Sequence, residues 1–231
     1  MPRHDYDGNT DPLSDEKETD EALMLGWFDS TFDEQEAALT RSLSKTNPQD
    51  PGGAWWEKWI ARYGAFFTPF ITQMAIESSQ GHQAQFGVGI DFDTIADQAE
   101  NWASTYGFNL VTGLNNGTRR TLQRGLAEFS AGRLDYTGLV NSYATKFTRA
   151  RAENIAMTET TKAYFNGMRI YREQVGALGV RTDVIWHAEP DACPICLPNH
   201  GVLQSTGLWT VPEMPAHPRC HCFPEIVQVP A

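Results

Sequence analysis

The chain has 231 residues, with 18 Lys and Arg against 29 Asp and Glu and a formal net charge of −11. That length suits one large domain or two small ones, with enough residues for a hydrophobic core. No secretory signal opens the chain, and its longest strongly apolar run is too short to cross a bilayer. We therefore expect a protein made in a reducing cytoplasm, without a membrane segment.

Charge is unevenly distributed along the sequence. Residues 1–100 carry 6 basic and 19 acidic groups, whereas residues 115–181 carry 11 basic and 5 acidic groups. The basic middle region predicts contact with nucleic acid or with an acidic protein surface, and an ordinary solvated helical face is the alternative. The acidic beginning of the chain opposes bulk binding to DNA.

The first part of the chain predicts an acidic tail followed by helices. Residues 1–20 are rich in Asp and predict disorder, or a tail that becomes ordered on a partner. Helical periodicity runs from Asp15 to about Ser44, as one helix or two short ones, before a Pro- and Gly-rich turn at 46–53. Further helices are expected from Thr68-Pro69 to Ser79 and from 94 to 106. Breaks are expected between them and over the Gly- and Asn-rich residues 107–117.

One predicted helix after the turn is unusually aromatic. At about 100° per residue, its aromatic side chains fall on two neighbouring faces. Trp55, Trp59, Tyr63 and Phe66 share the first face, and Trp56, Ile60 and Phe67 share the second. One face suits the core, and we expect a partner or a second copy to cover the other. The candidate partner-binding residues are Trp55, Trp56, Trp59 and Phe67; core packing of the whole segment is the alternative.

Helices continue through the middle of the chain and strands close it. The pattern predicts helices from about residue 115 to 129, from 136 to 147, and from 149 to 175, the longest. Glu159 lies on the apolar stripe of the long helix, so it needs a partner if it is buried, and a solvent-edge position is the alternative. Strands are expected at 180–187, 202–203, 208–211 and 223–229.

These elements predict a mainly α protein. Its helical N-terminal and middle regions precede a small α+β C-terminal knob, defined here as residues 182–231. The expected division is a tail at 1–20, a helical region at 21–113 and a further domain at 114–231 that includes the knob.

Every cysteine of the protein lies in the knob. Two residues separate Cys193 from Cys196, and Cys220 and Cys222 follow about twenty residues later, the pair-loop-pair spacing typical of structural zinc sites. Cys193, Cys196 and Cys220 are the firmest predicted ligands. Cys222 is preferred as the fourth, because residues i and i+2 of an extended segment face one side, and His217 competes with it.

Other roles for the cysteines compete with zinc binding. Two disulfides or four reduced thiols in a small core are the alternatives, and a reducing cytoplasm favours metal over disulfides. A redox role for Cys193 and Cys196 is weaker, because Pro198 and Gly201 favour a turn where such pairs usually begin a helix.

The order and spacing of three sequence blocks resemble the minor head proteins of tailed bacteriophages, a family typified by phage Mu protein F. The blocks are residues 151–160 (RAENIAMTET), 191–196 (DACPIC) and 215–222 (PAHPRCHC). The resemblance covers roughly residues 90–229. Family members usually have Arg where this chain has Met157 and His221. This departure puts in doubt any ion pair that those arginines make with Glu159 or elsewhere.

The resemblance implies a non-enzymatic virion protein. It would lie inside the phage head near the portal vertex and assist head assembly, DNA packaging or ejection. Expected partners are the portal protein or the major capsid protein, with DNA contacting the basic middle region and self-association as a further option. The Cys-rich knob would hold a structural zinc ion, and residues 114–231 would form the family domain.

Two alternatives come from other functional classes. A zinc-dependent nuclease or hydrolase needs an open metal position, yet the cysteines can fill every position, and no His-Glu-x-x-His, Gly-x-Ser-x-Gly or phosphate-loop motif occurs. A zinc-ribbon DNA-binding regulator predicts a basic knob, whereas residues 182–231 hold one Arg and five acidic groups.

Overall fold

A computed structural model describes residues 11–189 and 192–229 of the chain. The prediction of a mainly helical protein that ends in a small segment with β-structure is confirmed, and that segment contains two strands. The helices are α1 (Ser14–Ser42), α2 (Gly53–Phe86), α3 (Phe92–Ser130), α4 (Tyr136–Ala144) and α5 (Arg149–Ala177). The strands are β1 (Thr182–His187) and β2 (Phe223–Gln228), and two 3-10 helices lie between them at Leu197–Asn199 and Gln204–Thr206.

Two helices are longer than the sequence pattern predicts. α2 continues through Pro69 and Gly81, and α3 continues through the Gly- and Asn-rich residues 107–117, so the breaks expected there are wrong. Buried residues recur along α3 at helical spacing through this stretch, at Val111, Asn115, Thr118 and Leu122. Burial of a helix face offsets the cost of about 1 kcal/mol that each interior glycine adds.

The start of the chain is only partly a tail. Residues 1–10 of the expected disordered segment lie outside the described residues. α1 begins at Ser14, and both Lys17 and Asp20 are buried, so the prediction of disorder is wrong for residues 14–20. Partners explain the burial: Lys17 Nζ lies 2.9 Å from an Asp11 carboxylate oxygen, and the Tyr164 hydroxyl donates to Asp20 over 2.9 Å.

The described residues form two compact units, each built from separated stretches of sequence. The first unit contains the described residues up to 22, residues 70–102 and the described residues from 154 onward. The second unit contains residues 23–69 and 103–153. The boundary expected between residues 113 and 114 falls inside the unbroken helix α3.

The aromatic segment of α2 packs inside the second unit. Trp56, Trp59 and Phe67 are all buried, and Trp55 is half-buried. The Trp56 indole N–H donates to an Asp50 carboxylate oxygen over 2.9 Å. The expectation that Trp56 and Phe67 lie on a face left open for a partner is therefore wrong: the chain itself covers both. Partner binding by this segment stays a prediction, and Trp55 is its most accessible tryptophan.

A buried polar layer crosses the second unit. The Tyr63 hydroxyl donates to the Gln35 side chain over 2.8 Å, and the Gln35 amide donates to the Asn115 side chain over 2.8 Å. Asn115 in turn donates to the Val111 carbonyl. Each buried amide has partners, so this layer fixes the alignment of helices without an unsatisfied polar group.

In the first unit, α2 and α5 approach each other closely at Gly167. A Cβ atom added at Gly167 would lie 2.2 Å from the Ala75 carbonyl oxygen, so the backbones would have to separate. The Ser78 hydroxyl donates to the Tyr164 carbonyl over 2.6 Å, and the Ser79 hydroxyl donates to the Gly167 carbonyl over 2.7 Å. Glycine at this position permits the contact between the two helices.

The strands form an antiparallel pair within the first unit. Thr182 lies opposite Gln228, and His187 lies opposite Phe223. The expected strands at 202–203 and 208–211 do not form: Leu203 makes only an isolated bridge to Ile185, and a 3-10 helix follows. Buried residues of β1 pack in one core with α5 residues and the cysteines; this core includes Val184, Trp186, Phe165, Met168, Tyr171, Cys196, Cys220 and Cys222.

Candidate metal centre

A tight turn places Cys193 and Cys196 side by side. The backbone N–H groups of Cys196 and Leu197 both donate to the Cys193 carbonyl over 3.0 Å. The short 3-10 helix Leu197–Asn199 follows directly, with a proline in its first turn. The expected turn is confirmed in place of the long helix that redox pairs usually begin.

The second half of the centre comes from residues 217–222. Arg219 has a φ of 62°, in the left-handed region that non-glycine residues rarely adopt. This bend lies between His217 and Cys220, and Cys222 immediately precedes β2. The left-handed residue thus lies inside the turn that brings the second group of candidate ligands to the first.

The five candidate ligands meet as two overlapping groups. Cys193, Cys196 and His217 form one, and Cys196, Cys220 and Cys222 form the other, with the candidate ligand atoms of each group within 4.8 Å of one another. Cys196 belongs to both groups. The His217 Nε2 atom lies 3.0 Å from the Cys193 sulfur and 3.3 Å from the Cys196 sulfur, and the Cys196 and Cys220 sulfurs are 3.7 Å apart. The cluster could hold a metal ion such as zinc.

The separation of the Cys196 and Cys220 sulfurs fits tetrahedral coordination. Two sulfur atoms about 2.3 Å from one tetrahedral zinc ion lie about 3.8 Å apart, close to the separation of Cys196 and Cys220. The ring of His217 is oriented for the same role, because its Nδ1 lies 2.8 Å from the Pro218 carbonyl and so carries the proton. Its Nε2 lone pair then faces the sulfurs, as in histidine ligands held by a backbone carbonyl.

Four thiols at close range have strongly separated pKa values. The Cys220 pKa falls to about 5, chiefly because the Cys222 thiol donates a hydrogen bond to it, and the Cys222 pKa rises for the same reason. Burial raises the pKa of Cys196 to about 12. Negative charge therefore concentrates on Cys220 in the metal-free chain, and a cation would relieve the mutual repulsion of further thiolates.

Trp186 supplies a buried donor next to the cysteines. Its side chain is fully buried, and the indole Nε1 has no hydrogen bond of ordinary geometry within the described chain. Its interaction with Cys222 opposes the rise in the Cys222 pKa, because an N–H directed at sulfur favours the thiolate. A donor of this kind suits a thiolate that ligates a metal.

Two threonines of α5 attach the cysteine segment to the long helix. The Thr161 hydroxyl donates to the Cys220 carbonyl over 3.1 Å, and the Thr158 hydroxyl accepts from the Arg219 backbone N–H over 3.2 Å. Neither threonine was predicted to be part of the site. The two threonines are three residues apart, which places both on one face of α5. That shared face was the feature of the sequence that could have indicated their joint contact with the cysteine segment.

The predicted site residues have different outcomes. Cys193, Cys196, Cys220, Cys222 and His217 are brought together, and the cysteines are not joined by disulfides. The choice between Cys222 and His217 stays open, because each belongs to one of the two groups. Glu159 is buried, so its alternative position at the solvent edge is wrong.

A second polar cluster in the knob was not predicted. His187 Nε2 lies 2.6 Å from a Glu225 carboxylate oxygen, and the His187 ring stacks on Phe223 with 4.9 Å between ring centroids. His187 also lies opposite Phe223 in the strand pair. The pairing of the strands creates this contact, so it could be foreseen only once their register was known.

No helix within the described ranges is long and apolar enough to cross a membrane. Comparison with known proteins found no match: no family description, no curated protein and no solved structure is significantly similar to this chain.

Proposed function

We propose that this chain is a minor head protein of a tailed bacteriophage, positioned near the portal vertex, with a knob that binds a structural zinc ion. The observation that carries the proposal is the convergence of three sequence blocks that lie far apart in the chain. Thr158 of the first block accepts from the Arg219 backbone N–H of the third, and Thr161, which directly follows the first block, donates to the Cys220 carbonyl. The third block also contributes His217, which contacts both cysteines of the second block. Contacts among all three blocks give a physical reason for their joint occurrence.

The same cluster favours a structural over a catalytic metal. Every candidate ligand is a cysteine or a histidine, and four such ligands leave no position for a reactive water molecule. We expect protein purified without chelator to contain about one equivalent of zinc. It should cleave neither DNA nor generic peptides when zinc or magnesium is added. Cleavage that disappears in a Cys196→Ser variant would contradict the proposal in favour of a hydrolase.

The fourth ligand can be identified by paired substitutions. If His217 completes the site with Cys193, Cys196 and Cys220, His217→Ala should weaken zinc affinity by about 100-fold or more, whereas Cys222→Ser should act mainly as an altered neighbour. The opposite order would assign Cys222 instead. Cobalt substitution separates the cases independently, since the charge-transfer absorption scales with the number of thiolate ligands.

Fewer basic residues are available to contact DNA than the charge count of the middle region suggests. Within the basic middle region, Arg119, Arg133 and Arg149 form ion pairs with acidic side chains, and the half-buried Arg151 donates to the Leu114 and Lys146 carbonyls. DNA binding would therefore depend on the remaining basic residues, and its affinity should fall steeply with salt. A weak salt dependence would favour the ordinary solvated face.

The decisive experiment for the proposed function is localisation in assembled particles. The protein, tagged at an exposed position such as Leu208, should be found inside heads at the portal vertex in low copy number. Absence from purified particles, together with normal particle yield when the gene is deleted, would refute the proposal. Trp55→Ala should test docking by the aromatic segment, with Phe108→Ala as an exposed aromatic control.

A further inference from the structure

The first unit contains a large cleft away from the cysteine cluster. The cleft has a volume of about 840 Å³ and is lined by the last turns of α5, the start of β1 and the segment around Gln204. Its apolar lining includes Phe165, Met168 and Leu203. A cleft of this size is in the range that holds drug-sized ligands or short peptide segments.

A fixed guanidinium lies in this cleft. The Arg172 Nε donates to the Thr182 hydroxyl over 3.2 Å, one terminal nitrogen donates to the Thr182 carbonyl over 3.0 Å, and the other donates to the Gln204 side chain over 2.6 Å. These bonds use three of its five N–H groups. The nearest carboxylate, on Asp183, is 3.9 Å away, beyond hydrogen-bond distance.

Asp183 is already satisfied by its own neighbours. Its carboxylate accepts from the Val184 and Ser205 backbone N–H groups and from the Ser205 hydroxyl. Arg172 therefore keeps two N–H groups for which the described chain provides no acceptor, and its side chain remains 29% exposed. A planar fork held in this way is suited to a carboxylate, which can accept both bonds at once.

The edge of the cleft carries charges of both signs. Arg169 and Arg181 are exposed at the edge, and so are Glu173 and Glu213. The two glutamates would repel a run of phosphates, so the charge pattern does not fit a nucleic acid backbone. Charges of both signs around an apolar floor fit a peptide, which can offer a carboxylate, aliphatic side chains and a basic group together.

We propose that this cleft binds an extended peptide segment of a partner protein, with a carboxylate of the peptide bound to Arg172 and an aliphatic side chain on the apolar floor. The carboxylate can come from an acidic side chain inside the segment or from its C-terminus. The proposal is independent of the proposed function, because it rests on the cleft alone.

The test uses fluorescein-labelled hexapeptides and anisotropy with the full chain. One peptide has a Glu between two Leu residues and an amidated end, its match has Gln in place of Glu, and a third ends in Leu with a free carboxylate. We expect one carboxylate peptide to bind about tenfold more tightly than the Gln peptide, the effect of one charge-assisted hydrogen bond. The stronger of the two carboxylate peptides identifies the source of the carboxylate.

Variants of the chain locate the binding. Arg172→Lys should lower the affinity about tenfold, because an ammonium cannot reproduce the fork. If that variant melts early, Arg181→Glu serves instead, since Arg181 is exposed and its reversal should still weaken binding. Arg120→Glu, an exposed arginine outside the first unit, should leave affinity unchanged. Equal binding of all three peptides, no binding at millimolar peptide, or displacement by a short single-stranded oligonucleotide would overturn the proposal.

Discussion

The second unit and the knob are stabilised in different ways within one chain. In the second unit, aromatic rings pack closely: Trp27 stacks on Phe66 with 4.1 Å between centroids, and Phe28, Phe32 and Phe67 are almost completely buried. The knob has two strands of six residues, and three of its four cysteines are buried in its core. Long helices can bury one face along their whole length, whereas a segment with little regular structure needs a cross-link or a metal to become ordered. The difference predicts that the two regions respond to different perturbations.

Loss of the cysteine cluster should have the largest effect, and only on the knob. Structural zinc sites contribute about 10 kcal/mol or more to folding, so Cys220→Ser or a strong chelator should unfold the knob entirely. Hydrogen exchange should show loss of protection in β1 and β2 and retained protection in residues 103–130. Leu208→Ser, at an exposed position of the same segment, is the matched control. Unchanged protection of both strands would show that the thiols bind nothing that matters to stability.

Truncation of the aromatic core should have the next largest effect, in the second unit. Phe67 is completely buried, so Phe67→Ala should lower the free energy of unfolding by about 3–5 kcal/mol. Chelator should not change this loss. Phe108→Ala, whose side chain is 61% exposed, should cost little. The comparison fails if zinc removal destabilises the second unit as much as the truncation does.

The second unit and the knob should also differ in their response to acid, and Asp50 contributes to the response of the second unit. Its carboxylate accepts from Arg119, Gln123, the Trp56 indole and the Gly52 backbone. Burial alone would raise the Asp50 pKa, but these hydrogen bonds outweigh burial and lower it. The stabilisation is therefore complete above the pKa of the unfolded chain, near 4, and is lost as pH falls through the lower folded value. The knob should open at higher pH, as its ligands take up protons.

An Asp50→Asn variant measures this contribution. We expect the free energy of unfolding to fall by about 1–2 kcal/mol at neutral pH, and this loss to shrink toward zero in strong acid. Urea unfolding at a series of pH values measures it. Asp135→Asn is the control for the removal of one charge, because the Asp135 carboxylate caps helix α4 in the same unit. A loss that stays constant with pH would show that the charge of Asp50 contributes nothing.

The smallest expected effect concerns the left-handed residue of the knob. Arg219→Gly should relieve backbone strain, and the greater freedom of glycine in the unfolded chain should offset part of that effect. We expect the free energy of unfolding of the knob to rise by about 0.5 kcal/mol. Arg219→Val should instead destabilise, because a branched side chain tolerates this conformation least. Competition with a chelator of known zinc affinity would measure both. Equal affinities for the two variants would exclude strain at this position.

Sequence periodicity predicted the type of most elements, but not where two of the helices begin and end. The long helix was expected at 149–175 and is Arg149–Ala177, because its apolar spacing is uninterrupted. The breaks expected in α2 and α3 were wrong, since Pro69 and four glycines signal interruption locally while burial against distant residues maintains each helix. Propensity alone contains no information about that burial.

The candidate site could be predicted only as a set of residue types. Spacing identified all five candidate ligands, yet the preference for Cys222 over His217 assumed an extended segment. The structure brings Cys222 to Cys196 and Cys220, and a His217 ring held by the Pro218 carbonyl also reaches Cys193 and Cys196, so spacing alone could not choose between them. The attachment of the site to Thr158 and Thr161 also depends on tertiary contacts that spacing cannot show.

The close approach at Gly167 has a consequence for how the knob is aligned along α5. Because Ala75 leaves no room for a side chain there, α5 cannot slide along α2 by even one residue without a clash. Thr161 lies six residues before Gly167, about 9 Å along the axis, so the glycine also determines the height at which Cys220 is held. Gly167 thus determines the position of Thr161 relative to the knob. A one-residue insertion between 161 and 167 would rotate Thr161 away from the knob while every candidate metal ligand remained intact.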